Sequence, residues 1–264
     1  MSAIRVARLE DDALELPLAT GGRVRALLRP EVGARERALL YVELPAQATS
    51  AVLRHVFEAA YFVVHGAGAV RAEPGGPTHP VREAQMIYVP PKVAYRLVGP
   101  AVFAGGPCPP DLALFAGAGG AGDITDPAGG DAPHAAGGPS TAVRVLDPLQ
   151  DGIPMPMIAR RSWLVIAPHT GARYAVMNLV ELAPGEANRP HVHPASEDSL
   201  FVLEGSGWAY DLDAGDRVAL HAACALVVPP GVRHVVEAGP QGLRSIGGPV
   251  PPDVEMLRAM GMAV

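Results

Sequence analysis

Short apolar runs, each stopped within a few residues by Gly, Pro or Asp, recur along most of the chain. The clearest are ARERALLYVEL (34–44), AAYFVVHG (59–66), QMIYVPP (85–91), RSWLVIAP (161–168), YAVMNLVEL (174–182), SLFVLEG (199–205), RVALHA (217–222) and ALVVPP (225–230). Rich in β-branched and aromatic residues and too short for typical helices, they predict strands. Helical periodicity is scarce. Its best candidate is DVEMLRAM, Asp253 to Met260, which follows Pro251 and Pro252 and opens on a residue suited to capping. Residues 117–141, GAGGAGDITDPAGGDAPHAAGGPST, have no hydrophobic pattern. Such a Gly/Ala/Pro-rich stretch buries too little to order itself and predicts a flexible linker. His134, inside it, is given no role.

The halves on either side of that stretch resemble each other. AAYFVVHG ends at Gly66 and is followed by YVPPKVAY with Pro90 and Pro91. SLFVLEG ends at Gly205 and is followed by VVPPGVRH with Pro229 and Pro230. From glycine to first proline is 24 positions in both. Each half then closes on a related segment, GGPCPPDLALFAG from Gly105 and GGPVPPDVEMLRAMG from Gly247. Three matches in one order point to a duplicated all-β unit. The expected organisation is a first domain over 1–116, the linker over 117–141 and a second domain over 142–264.

Composition narrows the function classes. Of 264 residues, 49% are hydrophobic, enough for a substantial core, and 18% are charged. The net charge of −6 argues against a nucleic-acid partner, which requires a basic stripe. No apolar run approaches a membrane span, and the opening MSAIRVARLEDDALEL is mixed and charged. The expectation is a soluble, cytoplasmic protein. Cys108 and Cys224 lie in different halves without a C-x-x-C pair, which argues against a disulfide framework or a cysteine-rich zinc site. Cys224, in ACALVV, reads as a small buried hydrophobe.

Candidate chemistry concentrates in PHVHPASEDSLFVLEG, Pro190 to Gly205. In a strand, residues i and i+2 share a face, so His191 and His193 project together. Two neutral imidazoles suit a divalent first-row metal, and a carboxylate supplies charge. His234 follows a turn in which Gly231 permits an unusual backbone, and is the candidate ligand from the next strand. H-x-H alone is common on surfaces. H-x-H with an acid within five residues, an apolar strand ending in Gly, and P-x-G-x-x-H downstream is far more specific.

Together these motifs resemble the cupin superfamily. Its first motif runs G, five residues, H-x-H, three or four residues, E, six residues, G. Here Gly185, His191, His193, Asp198 and Gly205 fit every spacing if Asp198 takes the glutamate position. The second motif, P-x-G-x-x-H, appears as Pro229, Gly231 and His234. The resemblance covers most of residues 160–250, and the duplication extends it to a bicupin. It implies an all-β fold of two tandem jelly-roll barrels (the double-stranded β-helix type), with the metal inside the second. Glu197 competes with Asp198: it satisfies the spacing from His193, but seven rather than six residues separate it from Gly205. Strand parity sends the two acids to opposite faces. A shell of three histidines without an acid is the third option.

In the first half the same alignment places Tyr95 at the His234 position and Ala59 at that of Asp198. A one-residue gap brings His55 to His193 and Leu53 to His191. By this ligand set the first barrel is degenerate and shapes or supports the second. His65, His169, Arg173, Trp208, Tyr210, His221 and Arg233 read as structural or solvated residues.

For function, the resemblance implies one divalent ion, Fe, Mn, Ni or Zn, and a small-molecule substrate. The leading expectation is an oxidative, dioxygenase-type reaction on a small organic acid or enol in the second barrel. One alternative resembles the ureidoglycine aminohydrolases, although that family has Glu, His and Gln where this chain has His191, Asp198 and His234. The other is a non-enzymatic small-molecule-binding cupin. Exposed sheet edges imply a homodimer.

Overall fold

The structure is a computed structural model that describes residues 2–116 and 141–262. The expected linker, apart from Thr141, and His134 lie outside the described residues.

Each apolar run carries a strand, and the strands among the described residues form two antiparallel sheet systems of twelve and eight strands. Glu58–Glu73 and Glu197–Asp211 are the longest strands of their halves after His234–Val250. Their glycines do not end them, contrary to expectation. Gly66 and Gly205 take positive φ, +84° and +83°, beside shifts in pairing register. A Cβ on Gly205 would lie 2.0 Å from the Gly242 carbonyl oxygen, so only glycine lets the strands approach there. Past this corner each strand changes partners. Glu197–Asp211 leaves Cys224–Val228 for Asp216–His221 and pairs with His234–Val250 on both sides of the bend. Bending one strand between two faces is what folds each half into a barrel.

The halves exchange their first strands. Arg5–Arg8 pairs with Cys224–Val228 of the second sheet, Arg5 opposite Val227. Arg144–Leu146 pairs with Met86–Val89 of the first sheet, Arg144 opposite Tyr88. The two exchanges are equivalent, since both members of each pair are 139 positions apart. The division of the chain at 117–141 is therefore crossed twice by hydrogen-bonded sheet.

Alternation along the strands builds three cores. Tyr61 and Val63 point into the first barrel, and Leu200 and Val202 into the second. Ala60, Phe62 and Phe201, with the opposite parity, join Leu27, Tyr88, Val165 and Ile246 in a core shared by both halves. A strand covered on both faces reads as a continuous apolar run, which explains AAYFVV and SLFVL. The closing helix is Val254–Ala259, capped by Asp253 Oδ1, which accepts from the Glu255 and Met256 amides.

Candidate metal centre

His191, His193, Asp198 and His234 converge: one nitrogen or carboxylate oxygen from each lies within 4.8 Å of all the others. Backbone pairing sets this arrangement. His191 and His234 bond to each other's main chain in both directions, at 3.2 and 2.9 Å, and the Gly231 amide donates to the His193 carbonyl at 2.9 Å. The P-P-G turn is thereby laced to the H-V-H segment. That segment is extended with a single bridge at His191, not a regular strand. Alternation still holds, with Val192 at 41% exposure between two inward-facing imidazoles.

Each histidine is oriented through Nδ1. His191 Nδ1 meets the Arg189 carbonyl at 2.8 Å, His234 Nδ1 the Val232 carbonyl at 3.0 Å, and His193 Nδ1 an Asp253 carboxylate oxygen at 2.6 Å. These partners only accept, so each Nδ1 carries a proton, and in the neutral ring Nε2 is left with a lone pair. His234 Nε2 faces Asp198 Oδ2 at 3.3 Å. A lone pair facing a carboxylate is repulsive unless a proton or a cation sits between them. Two ligands bound at about 2.1 Å to one ion are at most about 4.2 Å apart, so the group is within a small contraction of coordination distance. The donor set, three neutral imidazole nitrogens and one carboxylate, suits a divalent first-row ion.

The electrostatics agree. Burial, with His234 next, lowers the His191 pKa to about 4 and keeps it neutral. Burial works against the Asp198 carboxylate, but the His234 contact and the neighbouring imidazoles outweigh it and hold its pKa well below the usual range. Burial likewise opposes charge on His234, and the facing Asp198 raises its pKa nonetheless, so at this contact a proton competes with a bound cation for the place between them. His191, His193 and Asp198 line a small cavity of about 40 Å³ with apolar walls including Leu200, Val236 and Met256, and with Asn178 and Ser245 as polar neighbours.

Glu197 lies elsewhere. It has the parity of Phe201, not of Leu200, and leaves the barrel for the first half. There its carboxylate accepts from the Arg35 and Glu36 amides at 2.9 and 3.2 Å. Glu58, 139 positions earlier, does the reverse: it accepts from the Arg173, Tyr174 and Ala175 amides at 2.7 to 2.9 Å, and from the Tyr88 hydroxyl at 3.0 Å. The two receiving loops are themselves a repeat, PEVGARE (30–36) and PHTGARY (168–174). Sequence reasoning passed over that repeat, which was visible. It also read Asp253 only as a cap. The signal for its second role was GGP-x-PPD: Asp111, at the same place in the first half, caps Ala113 and holds His55 Nδ1 at 2.8 Å.

In the first barrel, side chains at the corresponding positions bond to one another. His55 Nε2 meets the Tyr95 hydroxyl at 3.0 Å, and Tyr95 meets the Tyr61 hydroxyl at 2.7 Å. Burial raises the pKa of both tyrosines, so both stay neutral. Of the other residues, His65 is exposed beside Glu83, and His221 bonds to Arg8 and to the Ala222 carbonyl. Arg217 stacks on Trp208, and the Arg233 side chain is exposed.

A cupin-domain family model matches residues 178–240, which include all four converging side chains. Over the whole chain, a Lactobacillus farciminis oxalate decarboxylase superposes with a TM-score of 0.71 at 15% identity, covering 96% of this chain and 88% of that one. By fold, the chain is a bicupin. A Bacillus subtilis oxalate decarboxylase, studied for its Mn(II) centres, gives 0.65 at 16% identity over 94% of this bicupin and 77% of its own chain. Among curated relatives, the tetracenomycin polyketide synthase protein TcmJ of Streptomyces glaucescens is 39% identical over 67 residues, 25% of this chain and 44% of that protein. Oxalate oxidase 1 of Hordeum vulgare is 33% identical over 73 residues, 25% of this chain and 36% of that protein. The bicupin thus spans less than half the length of the curated relatives it matches. Among its described residues, no helix is long and apolar enough to cross a membrane.

Proposed function

We propose that this bicupin is a metal-dependent enzyme whose second barrel binds one divalent ion through His191, His193, His234 and Asp198. The proposed reaction is oxidative, of dioxygenase type, on a small enol or organic acid. The observation that carries the reading is the lone-pair accounting: three Nδ1-anchored imidazoles and a low-pKa carboxylate turn their acceptors toward one point. When bound, a divalent first-row ion supplies Lewis acidity and open coordination positions there. The chain's own residues do the rest. Asp253 and the two carbonyls fix the tautomers, and Asp198 supplies the negative charge. Apolar walls exclude water, and Asn178 and Ser245 offer hydrogen bonds to a polar substrate group.

Two observations favour a small enol or monoacid over a bare dianion. No lysine or arginine is among the residues lining the cavity. The curated relatives also include a polyketide synthase protein, and polyketide chains are rich in enolisable ketones. Manganese is the first metal to test, because a structural neighbour was studied for its Mn(II) centres. The first barrel, bounded by the 117–141 segment, serves as support.

The test is metal analysis of the purified protein followed by oxygen uptake with small enols, β-diketones and keto acids, with Fe(II) or Mn(II) supplied. Metal-dependent uptake supports the proposal. Ammonia release from a ureido amino acid assigns a hydrolase instead. Tight ligand retention without turnover assigns a binding protein.

A further inference from the structure

Glu197 and Asp198 are neighbours at the start of one strand, and they face opposite ways. Asp198 faces the three histidines, while Glu197 is held by two amides of the other half. Aspartate is one methylene shorter than the glutamate its family uses, so its reach depends on where its own backbone sits. That backbone begins immediately after the His193–Ser196 turn, where Pro194 supplies no amide and residues 192–196 make no strand pairing. Glu197 is 3% exposed, and its side chain spans directly into the first barrel's PEVGARE loop.

We propose that Glu197 is a positioning residue: by gripping the Arg35 and Glu36 amides it sets the strand from which Asp198 reaches the metal. The first barrel would then be part of the support of the second barrel's centre. This rests on the metal reading above. The constraint is specific to one side. Glu58 makes the equivalent grip on the Arg173–Ala175 loop, but its neighbour facing the first barrel's interior is Ala59, which holds nothing. The molecule therefore contains its own control, with the same bond type and the same interface, but only one grip next to a ligand.

The experiment compares Glu197→Ala, Glu197→Gln and Glu58→Ala in the full chain, with folding checked by circular dichroism and Mn(II) affinity by calorimetry. Supporting groups of metal ligands typically change affinity by about 10–100-fold when removed. Glu197→Ala is expected to weaken Mn(II) binding by that factor. Glu197→Gln, which keeps one acceptor, should fall between Glu197→Ala and wild type, and Glu58→Ala should remain within about twofold of wild type. If Glu58→Ala does not fold, Tyr88→Phe, which removes the hydroxyl's bonds to Glu58 and to the Gly171 carbonyl across the same interface, replaces it as control. Wild-type affinity in Glu197→Ala, or equal weakening in the control, overturns the proposal. A wild-type protein that takes up none of Mn(II), Fe(II), Ni(II) and Zn(II) refutes the metal reading instead. In that case the imidazole nitrogen chemical shifts of His234 in the metal-free protein decide: movement in Glu197→Ala alone supports positioning, and no movement overturns it.

Discussion

The acids at 197 and 198 show how much one position of parity decides. Glu197 is buried and Asp198 half-buried beside the same histidine motif, yet Asp198 joins three imidazoles and Glu197 ties two barrels together. His193→Ala and Asp198→Ala are expected to purify without stoichiometric metal, whereas Glu197→Gln retains close to one equivalent under saturating Mn(II); elemental analysis of the three side by side checks this. Asp253→Ala should weaken the metal about 10–100-fold by freeing the His193 ring, while Asp111→Ala leaves it unchanged. Glu197 also carries a pH signature. Burial raises its pKa from 4.5 to about 7. Between those values the folded protein keeps a proton that the unfolded chain has lost, so this group's contribution to stability falls as pH rises from about 4.5 to 7. Urea unfolding at pH 5 and pH 7.5 should show wild type losing stability relative to Glu197→Gln across that window, with no further loss above it.

At the scale of elements, the exchanged strands and the bent strands carry the architecture. Arg5–Arg8 covers the edge of Cys224–Val228, placing Ile4 in the second barrel's interior and Ala7 in the shared core. Ala7 has the parity of Leu9, whose amide donates to the Ala223 carbonyl, so Ala7→Pro removes an amide from that pairing and should cost about 1–3 kcal/mol, with increased aggregation from the disturbed edge. Thermal unfolding and light scattering measure both effects. The bends depend on Gly66 and Gly205, whose positive φ and close backbone contacts exclude a side chain. The glycine-ended motif that suggested a strand stop thus marks a corner inside a longer strand.

At the scale of the molecule, the halves are not independent beads. They share a core, trade first strands and grip each other through Glu58 and Glu197. Glu58→Ala would leave three amides without their acceptor and should lower the melting temperature, while Mn(II) affinity of the folded protein stays near wild type. Cutting the chain within 117–141 and producing the halves separately should give aggregated or unfolded fragments. Mixing them should restore the native circular dichroism spectrum. Two fragments that each fold alone would show that the exchanged strands are dispensable.

The sequence by itself determined the strand-rich class, the duplication, the histidines His191, His193 and His234 and the pair of acids beside them, because period-2 alternation, turn residues and motif spacing are local properties. Spacing to Gly205 also favoured Asp198, but the PAS turn severed any parity link between the acids and the histidines. Only the tertiary structure separated them, because which face of a doubly covered strand is barrel interior and which is interface depends on what packs against it. The same holds for the exchanged strands, for Asp253 behind His193, and for the loops that Glu58 and Glu197 grip. Each joins residues more than 50 positions apart, most of them more than 100, and no local pattern records a contact at that separation.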